Sequence, residues 1–184
     1  LDLKDKVCID IGASTGGFTD CMLQNGAKCV YAVDVGTAQF VDNLKNDKRV
    51  KSFENTDIAD FICPEDADFA AADVSFVSLS KILPHIDRLL GGKNAVVLVK
   101  PQFEAGREHL SKNGVVRDTK THKKVLERIA SEAAENGLYC GGIEISPIKG
   151  GDGNTEYLML LEREKRIFNI SEEIKKVIGK CPKR

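Results

Sequence analysis

The chain has 184 residues, near the length of one domain, and 42% of them are apolar, enough for a packed core and too many for general disorder. Its 27 Lys and Arg nearly balance 28 Asp and Glu, for a net charge of −1. That excludes a polycation held to nucleic acid by bulk charge but leaves room for a local basic face. The aliphatic run Ala95-Val96-Val97-Leu98-Val99 falls far short of the roughly 20 apolar residues of a membrane span, and no basic-then-apolar leader opens the chain.

In chain order, Val7 to Ile11 is a short apolar run closing on glycine, a first buried strand. Phe18 to Asn25 reads as a helix stopped by Gly26, Cys29 to Val33 as a second strand and Val50 to Phe53 as a third. Phe69 to Val74 follows as the fourth strand, then a helix from Leu79 to Leu90 in which Pro84 is expected at a turn or kink, then Ala95 to Val99 as the fifth. After Asp118-Thr119, the positions Val125, Leu126, Ile129, Ala130 and Ala133 share one helical face, and Asn136-Gly137 supplies the stop. Leu138 to Ser146 and Tyr157 to Leu161 are the last strands, joined by a glycine-rich loop too short for a crossover helix, so they should pair antiparallel. Ser171 to Ile178 forms a short terminal helix. Apolar strands separated by helices predict an α/β fold with a parallel sheet covered on both faces. Six cysteines, at positions 8, 21, 29, 63, 140 and 181, have no zinc spacing and read as reduced core thiols of a cytoplasmic protein. The start at Leu1 rather than Met is expected of a fragment of a longer polypeptide.

Asp10-Ile11-Gly12-Ala13-Ser14-Thr15-Gly16-Gly17-Phe18 joins the first strand to the first helix, where ligands bind in such sheets. It lacks the second glycine of G-x-G-x-x-G and the Gly-Lys-Ser/Thr of a phosphate loop. That combination fits an S-adenosylmethionine site, and a merely structural tight turn is the competing reading. Asp34 ends the second strand 22 residues after Gly12, where an acid binds ribose hydroxyls, or else caps the following helix. Asp57 is placed to meet an adenine edge, or to N-cap a helix from Ile58 to Ile62.

Three strand ends carry charge that a core would not choose. Asp73 closes the fourth strand, Lys100 the fifth, and Glu156 opens the last. Together they converge on one rim, where an acid–lysine–acid cluster can orient a lysine to deprotonate a hydroxyl. Asp10 to Asp20, Val33-Asp34-Val35-Gly36 with Gln39, Asp73-Val74-Ser75-Phe76, Leu98 to Glu104 and Gly153-Asn154-Thr155-Glu156-Tyr157 resemble the TlyA/hemolysin A family of FtsJ-like ribosomal RNA 2′-O-methyltransferases. The resemblance implies a Rossmann-like class I S-adenosylmethionine-dependent methyltransferase, a seven-stranded, mostly parallel sheet with one antiparallel strand, over residues 1–184. It implies that Asp73, Lys100 and Glu156 are the last three members of a catalytic Lys-Asp-Lys-Glu tetrad. The cofactor would lie against Asp10, Gly12, Ala13, Ser14, Gly16, Gly17, Phe18, Asp34, Val35, Asp57 and Asp73. The family's leading lysine and its S4-type RNA-binding domain lie upstream of the first strand and have no counterpart here, since Lys4 and Lys6 sit outside the expected motif. A fragment that binds cofactor and barely methylates RNA is therefore expected.

Pro101 to Asp118 shows no periodicity and reads as a long loop, a lid or substrate clamp. Arg107, Lys112 and Arg117 on it, with Lys120, Lys123, Lys124 and Arg128 beyond, could track a phosphate backbone of ribosomal RNA; a solvated helix face is the alternative. Phe103 is the candidate for base stacking. His85, His109 and His122 read as surface or packing residues, and no metal is expected. A nicotinamide oxidoreductase is disfavoured by the glycine spacing. A base-nitrogen methyltransferase is disfavoured by Asp73-Val74-Ser75-Phe76 in place of an Asn/Asp-Pro-Pro-aromatic element. A membrane-lytic protein, as the hemolysin name suggests, lacks an apolar span, and membrane insertion is not expected.

Overall fold

The computed structural model describes residues 1–165 and 169–180. Its strands are β1 (Val7–Ile11), β2 (Cys29–Val33), β3 (Val50–Phe53), β4 (Phe69–Ala72), β5 (Asn94–Val99), β6 (Tyr139–Ile145) and β7 (Tyr157–Glu162). Its helices are α1 (Gly17–Gln24), α2 (Asp42–Lys45), α3 (Leu79–Leu90), α4 (Pro101–Glu104), α5 (Thr119–Glu135) and α6 (Ile170–Gly179). The strands form one sheet in the order β3-β2-β1-β4-β5-β7-β6, parallel except for β7, which runs against both β5 and β6. The order reverses between β1 and β4, which opens a crevice at the carboxyl ends of the strands.

Burial follows the alternation of side chains along each strand. Val7, Ile9 and Ile11 join the large cluster under α3, α5 and α6, while Cys8 joins the smaller one with Met22, Leu23, Phe40 and Leu44. In α5, Asp118 accepts hydrogen bonds from the Lys120 and Thr121 amides and caps the helix, whose buried stripe is Val125, Leu126, Ile129, Ala130 and Ala133. Helix α3 runs through Pro84 without ending. Burying Leu79, Ile82, Leu83, Ile86 and Leu90 at about 1.5–3 kcal/mol each outweighs the roughly 3 kcal/mol an internal proline costs.

The structure corrects the sequence reading in other places too. Strand β4 stops at Ala72, so Asp73 begins the loop after it. Asp57 caps a turn rather than a helix, its Oδ1 accepting from the Ala59 amide at 2.9 Å. The stretch after Pro101 is not structureless: α4 starts on that proline, and a 3₁₀ turn covers Arg107–His109. Among the cysteines, Cys8 and Cys29 are core thiols, with Cys8 pushed up to about 12 mainly by burial. Cys63 and Cys140 are half-buried and Cys21 is exposed; Cys181 lies outside the described residues. Among the described residues, no helix is long and apolar enough to cross a membrane.

Candidate active site

A cleft of about 680 Å³ opens where β1, β2 and β4 end. Gly12, Ser14, Asp34, Val35, Gly36, Gln39, Asp57, Asp73, Phe76 and His85 are among its lining residues. Gly12 has φ +78°, and a Cβ there would lie 2.4 Å from the Asp73 carbonyl oxygen, so only glycine lets the two loops touch. Asp34 knits the turn together: Oδ2 accepts from the Ser14 amide at 2.7 Å and Oδ1 from the Gly36 amide at 2.6 Å. Each carboxylate oxygen keeps a second lone pair that can face into the cleft.

Beneath the turn, Asp10 is 1% exposed and accepts the Thr19 hydroxyl through Oδ2 at 2.6 Å, while Oδ1 has no hydrogen-bond partner. Burial pushes its carboxyl up to about 6; the Thr19 hydrogen bonds oppose that, and the Asp73 and Asp34 charges reinforce it. Asp10, Ala13, Gly16, Gly17 and Phe18, expected at the cofactor, do not line the cleft. Ala13 is buried in the smaller core cluster, and Gly16 makes room for Phe40 and Leu44. Phe18 instead lines a separate cavity of about 630 Å³ with Leu3, Met22 and Val96. The turn into α1 carries these side chains away from the strand ends, which the motif alone does not reveal.

The three charged strand ends do meet. Val99 of β5 pairs with Tyr157 of β7, so Lys100 and Glu156 follow as neighbours on the same rim. Because β7 runs backwards, its first residues lie where the parallel strands finish. Lys100 Nζ sits 2.5 Å from Asp73 Oδ1 and donates to Ser75 Oγ at 2.9 Å, with its side chain only 11% exposed. Glu156 is buried and accepts from Gln102 Nε2 at 2.7 Å. Burial raises its carboxyl above the ordinary glutamate range; Gln102 and Lys100 pull it back, and Asp73 raises it further. A Cβ on Gly150 would fall 2.1 Å from Glu156 Oε1, so the loop before β7 closes directly onto the carboxylate.

Ser75 and Gln102, the partners of Lys100 and Glu156, were not legible from the sequence, since nothing distinguishes them from other polar residues beside a motif. Phe76 is another. It is 91% exposed with φ +63°, rare for an aromatic residue, and its ring lies 5.0 Å from that of Phe103. Lys100 Nζ in turn lies 5.7 Å from the Phe103 ring centre.

The connection to α5 is fastened down. Asn154 accepts from the Val116 amide at 3.2 Å and donates to the Gly114 carbonyl at 3.2 Å. Buried His122 bridges the Tyr157 hydroxyl at 2.8 Å and the Val116 carbonyl at 3.0 Å, and burial lowers its pKa so that it stays neutral. Arg107, Lys112, Arg117, Lys120 and Lys124 are exposed. Lys123 is half-buried and pairs with Glu127 at 3.6 Å. Arg128, expected among the free cations, is bound to Glu104 at 2.6 Å and to Glu132 at 3.0 Å. Among the described residues, no group of three or more His, Cys, Asp or Glu could hold a metal ion.

The family model for FtsJ-like methyltransferases matches residues 1–163. The chain belongs to that family. This FtsJ-like chain is 52% identical to "Putative rRNA methyltransferase YqxC" of Bacillus subtilis over 88% of its own length and 59% of the relative's. It is 40% identical to the 16S/23S rRNA (cytidine-2′-O)-methyltransferase TlyA of Mycobacterium tuberculosis, over 89% of this chain and 63% of TlyA. The FtsJ-like chain thus spans about three fifths of the length of these two relatives. A solved structure described as "Putative hemolysin from Streptococcus thermophilus" superposes with a TM-score of 0.88 at 46% identity, over 97% of this chain and 68% of that one. More distant solved methyltransferases, 14–19% identical with TM-scores of 0.63–0.65, share the fold alone. The FtsJ-like chain accordingly has the Rossmann-like fold of S-adenosylmethionine-dependent methyltransferases.

Proposed function

We propose that this chain is the catalytic part of a cytoplasmic S-adenosylmethionine-dependent methyltransferase acting on a ribose 2′-hydroxyl of ribosomal RNA. The observation that carries the reading is Lys100, next to buried Glu156 in the strand pairing and gripped by Asp73 and Ser75, both of which line the glycine-turn cleft. The names of the relatives, rRNA and cytidine-2′-O methyltransferases, support the substrate class.

The cleft residues fit the cofactor. Gly12 lines the cleft and lets the Asp73 loop close against the glycine turn, and Asp34 retains acceptor capacity for ribose hydroxyls. Asp57 lines the wall where an adenine edge would lie. The acids Asp34, Asp57 and Asp73 line the pocket and suit a cationic ligand. When bound, S-adenosylmethionine supplies a methyl carbon whose bond to sulfur breaks as the ribose oxygen attacks. Lys100, in its uncharged form, takes the proton from the 2′-hydroxyl. Asp73 and Ser75 fix the direction of its amine, and Glu156, with Gln102, bounds the other side of the site. Most of the rate must come from holding the hydroxyl in line, because a ribose hydroxyl is a weak acid. Phe76, 91% exposed, offers a ring face to the target base, and Arg107, Lys112, Arg117, Lys120, Lys123 and Lys124 supply cations for contacts to a phosphate backbone.

The test is transfer of labelled methyl groups to purified ribosomal subunits, by this chain and by a version extended upstream as in its longer relatives. Label recovered as 2′-O-methylnucleoside supports the reading. Label on a base, or none from either form, overturns it.

A further inference from the structure

Helix α4 is a single turn, Pro101–Glu104, and three of its four side chains have a distinct job. Gln102 reaches Glu156, Phe103 packs on Phe76, and Glu104 turns inward, its side chain only 2% exposed. Glu104 Oε1 accepts from the Leu79 amide at 2.7 Å; Oε2 accepts from Ser78 Oγ at 2.8 Å and Arg128 Nη2 at 2.6 Å. The same guanidinium donates to the Glu104 carbonyl at 3.1 Å, to Ser80 Oγ at 3.1 Å and to Glu132 Oε1 at 3.0 Å. A buried carboxylate therefore ties α4 to the first turn of α3 and to the middle of α5.

The tie lies at a particular place. The segment from Asp73 to Ser78 leaves the sheet, holds Lys100 through Asp73 and Ser75, and ends where Ser78 caps α3. Lys100 itself is the residue on which α4 begins. The two segments are thus clasped twice: at one end by the lysine, at the other by Glu104 on Ser78 and Leu79. One helical turn has no packing face long enough to set its own rotation about its axis. A second clasp four residues from the lysine can set it. Stabilising the fold alone would be an expensive use of these charges, since a buried ion pair seldom outdoes an apolar contact.

We infer that Glu104, held by Arg128, is a positioning residue that sets the rotation of α4 and so aims Lys100 at the reacting hydroxyl. It touches neither substrate nor cofactor. The inference rests on the proposed role of Lys100, and its test separates the two.

Glu104→Gln keeps an acceptor for the Leu79 amide and loses the charge that grips Arg128; Arg128→Lys keeps the charge and loses the fork. Ile129→Val, on α5 and fully buried, serves as a control that lowers stability without touching the clasp. In the form that methylates ribosomal subunits, Glu104→Gln should lower kcat about tenfold to a hundredfold, the scale of a small misplacement of a reacting group. The KM for RNA and the cofactor affinity should stay within about twofold, and the pH profile of kcat should move along the lysine limb. Arg128→Lys should fall between, and Ile129→Val should melt earlier with kcat unchanged. Independently of RNA, timed acylation followed by mass spectrometry should show Lys100 reacting several-fold faster in Glu104→Gln. Unchanged kcat and an unchanged acylation rate in a folded variant would overturn the inference. If Glu104→Gln does not fold, Arg128→Lys is judged by the same two measurements. A wild type that acylates slowly, loosens on Glu104→Gln and methylates nothing would retain the clasp and sink the RNA reading.

Discussion

Replacing Asp34 by alanine separates the two things its carboxylate does. In the free protein it accepts from the Ser14 amide at 2.7 Å and from the Gly36 amide at 2.6 Å. A hydrogen bond to a charged acceptor contributes about 1.5–3 kcal/mol when buried. Ser14 is exposed, so water replaces most of its bond; Gly36 is half-buried, so less is recovered. The loss of folding stability should therefore be about 2 kcal/mol, not the sum of two full bonds. Cofactor binding loses the ribose contact as well, on the order of 1.5–3 kcal/mol, or roughly tenfold to a hundredfold in Kd. Urea unfolding reads the first quantity, and calorimetric titration with S-adenosylmethionine reads the second. Asp34→Asn should sit between, because one oxygen survives while the new amide faces a backbone N–H. A variant with lowered stability but wild-type affinity would show that Asp34 only braces the turn.

Lys100→Ala should cut methylation by about a hundredfold or more, the usual scale of a lost general base, with cofactor affinity nearly unchanged; retained turnover would remove the lysine from the chemistry. Asp10 has a folded pKa of about 6 against 3.8 for the free side chain, so its charge destabilises the fold increasingly from about pH 4 to 6 and constantly above. Asp10→Asn should accordingly gain stability at neutral pH, up to the order of 3 kcal/mol, and nothing below pH 4 in matched denaturant curves. Phe76→Ala should leave stability within about 1 kcal/mol, since the ring is 91% exposed, and raise the KM for RNA about tenfold, as one lost base stack would. An unaltered KM would leave Phe76 outside the interface.

Strands β1, β2 and β4 were legible because they are buried on both faces, and such strands are written as nearly unbroken apolar runs between breakers, whereas the edge strands β3 and β6 are partly exposed. Asp73, Lys100 and Glu156 were legible for the converse reason: a charge directly after or before such a run has to lie at its end. What the sequence hid was direction. Phe18 and Gly16 belong to the same glycine motif as Gly12, yet the turn sends them into the apolar layer around Phe40 and Leu44. Arg128 belongs to a run of cations by composition, and only the distant Glu104 makes it structural. The four-residue helices α2 and α4 span barely one helical turn, too short for a pattern to repeat, and leave no signal.

The backward run of β7 makes the site sensitive to arithmetic. Every parallel strand delivers its charged residue at the end of a path fixed by the strand itself, so Lys100 cannot slip without moving all of β5. Glu156 arrives instead from the loop containing Gly150 and Asn154, just before β7 begins. Sides of a strand alternate with odd and even count, so one residue inserted between Glu156 and Tyr157 would take the place beside Lys100 and turn the carboxylate to the opposite face. Two inserted residues would restore the facing but leave the group some 7 Å out of place. Relatives of this chain should therefore vary in length anywhere in the outer part of that loop sooner than in the three residues that precede Tyr157.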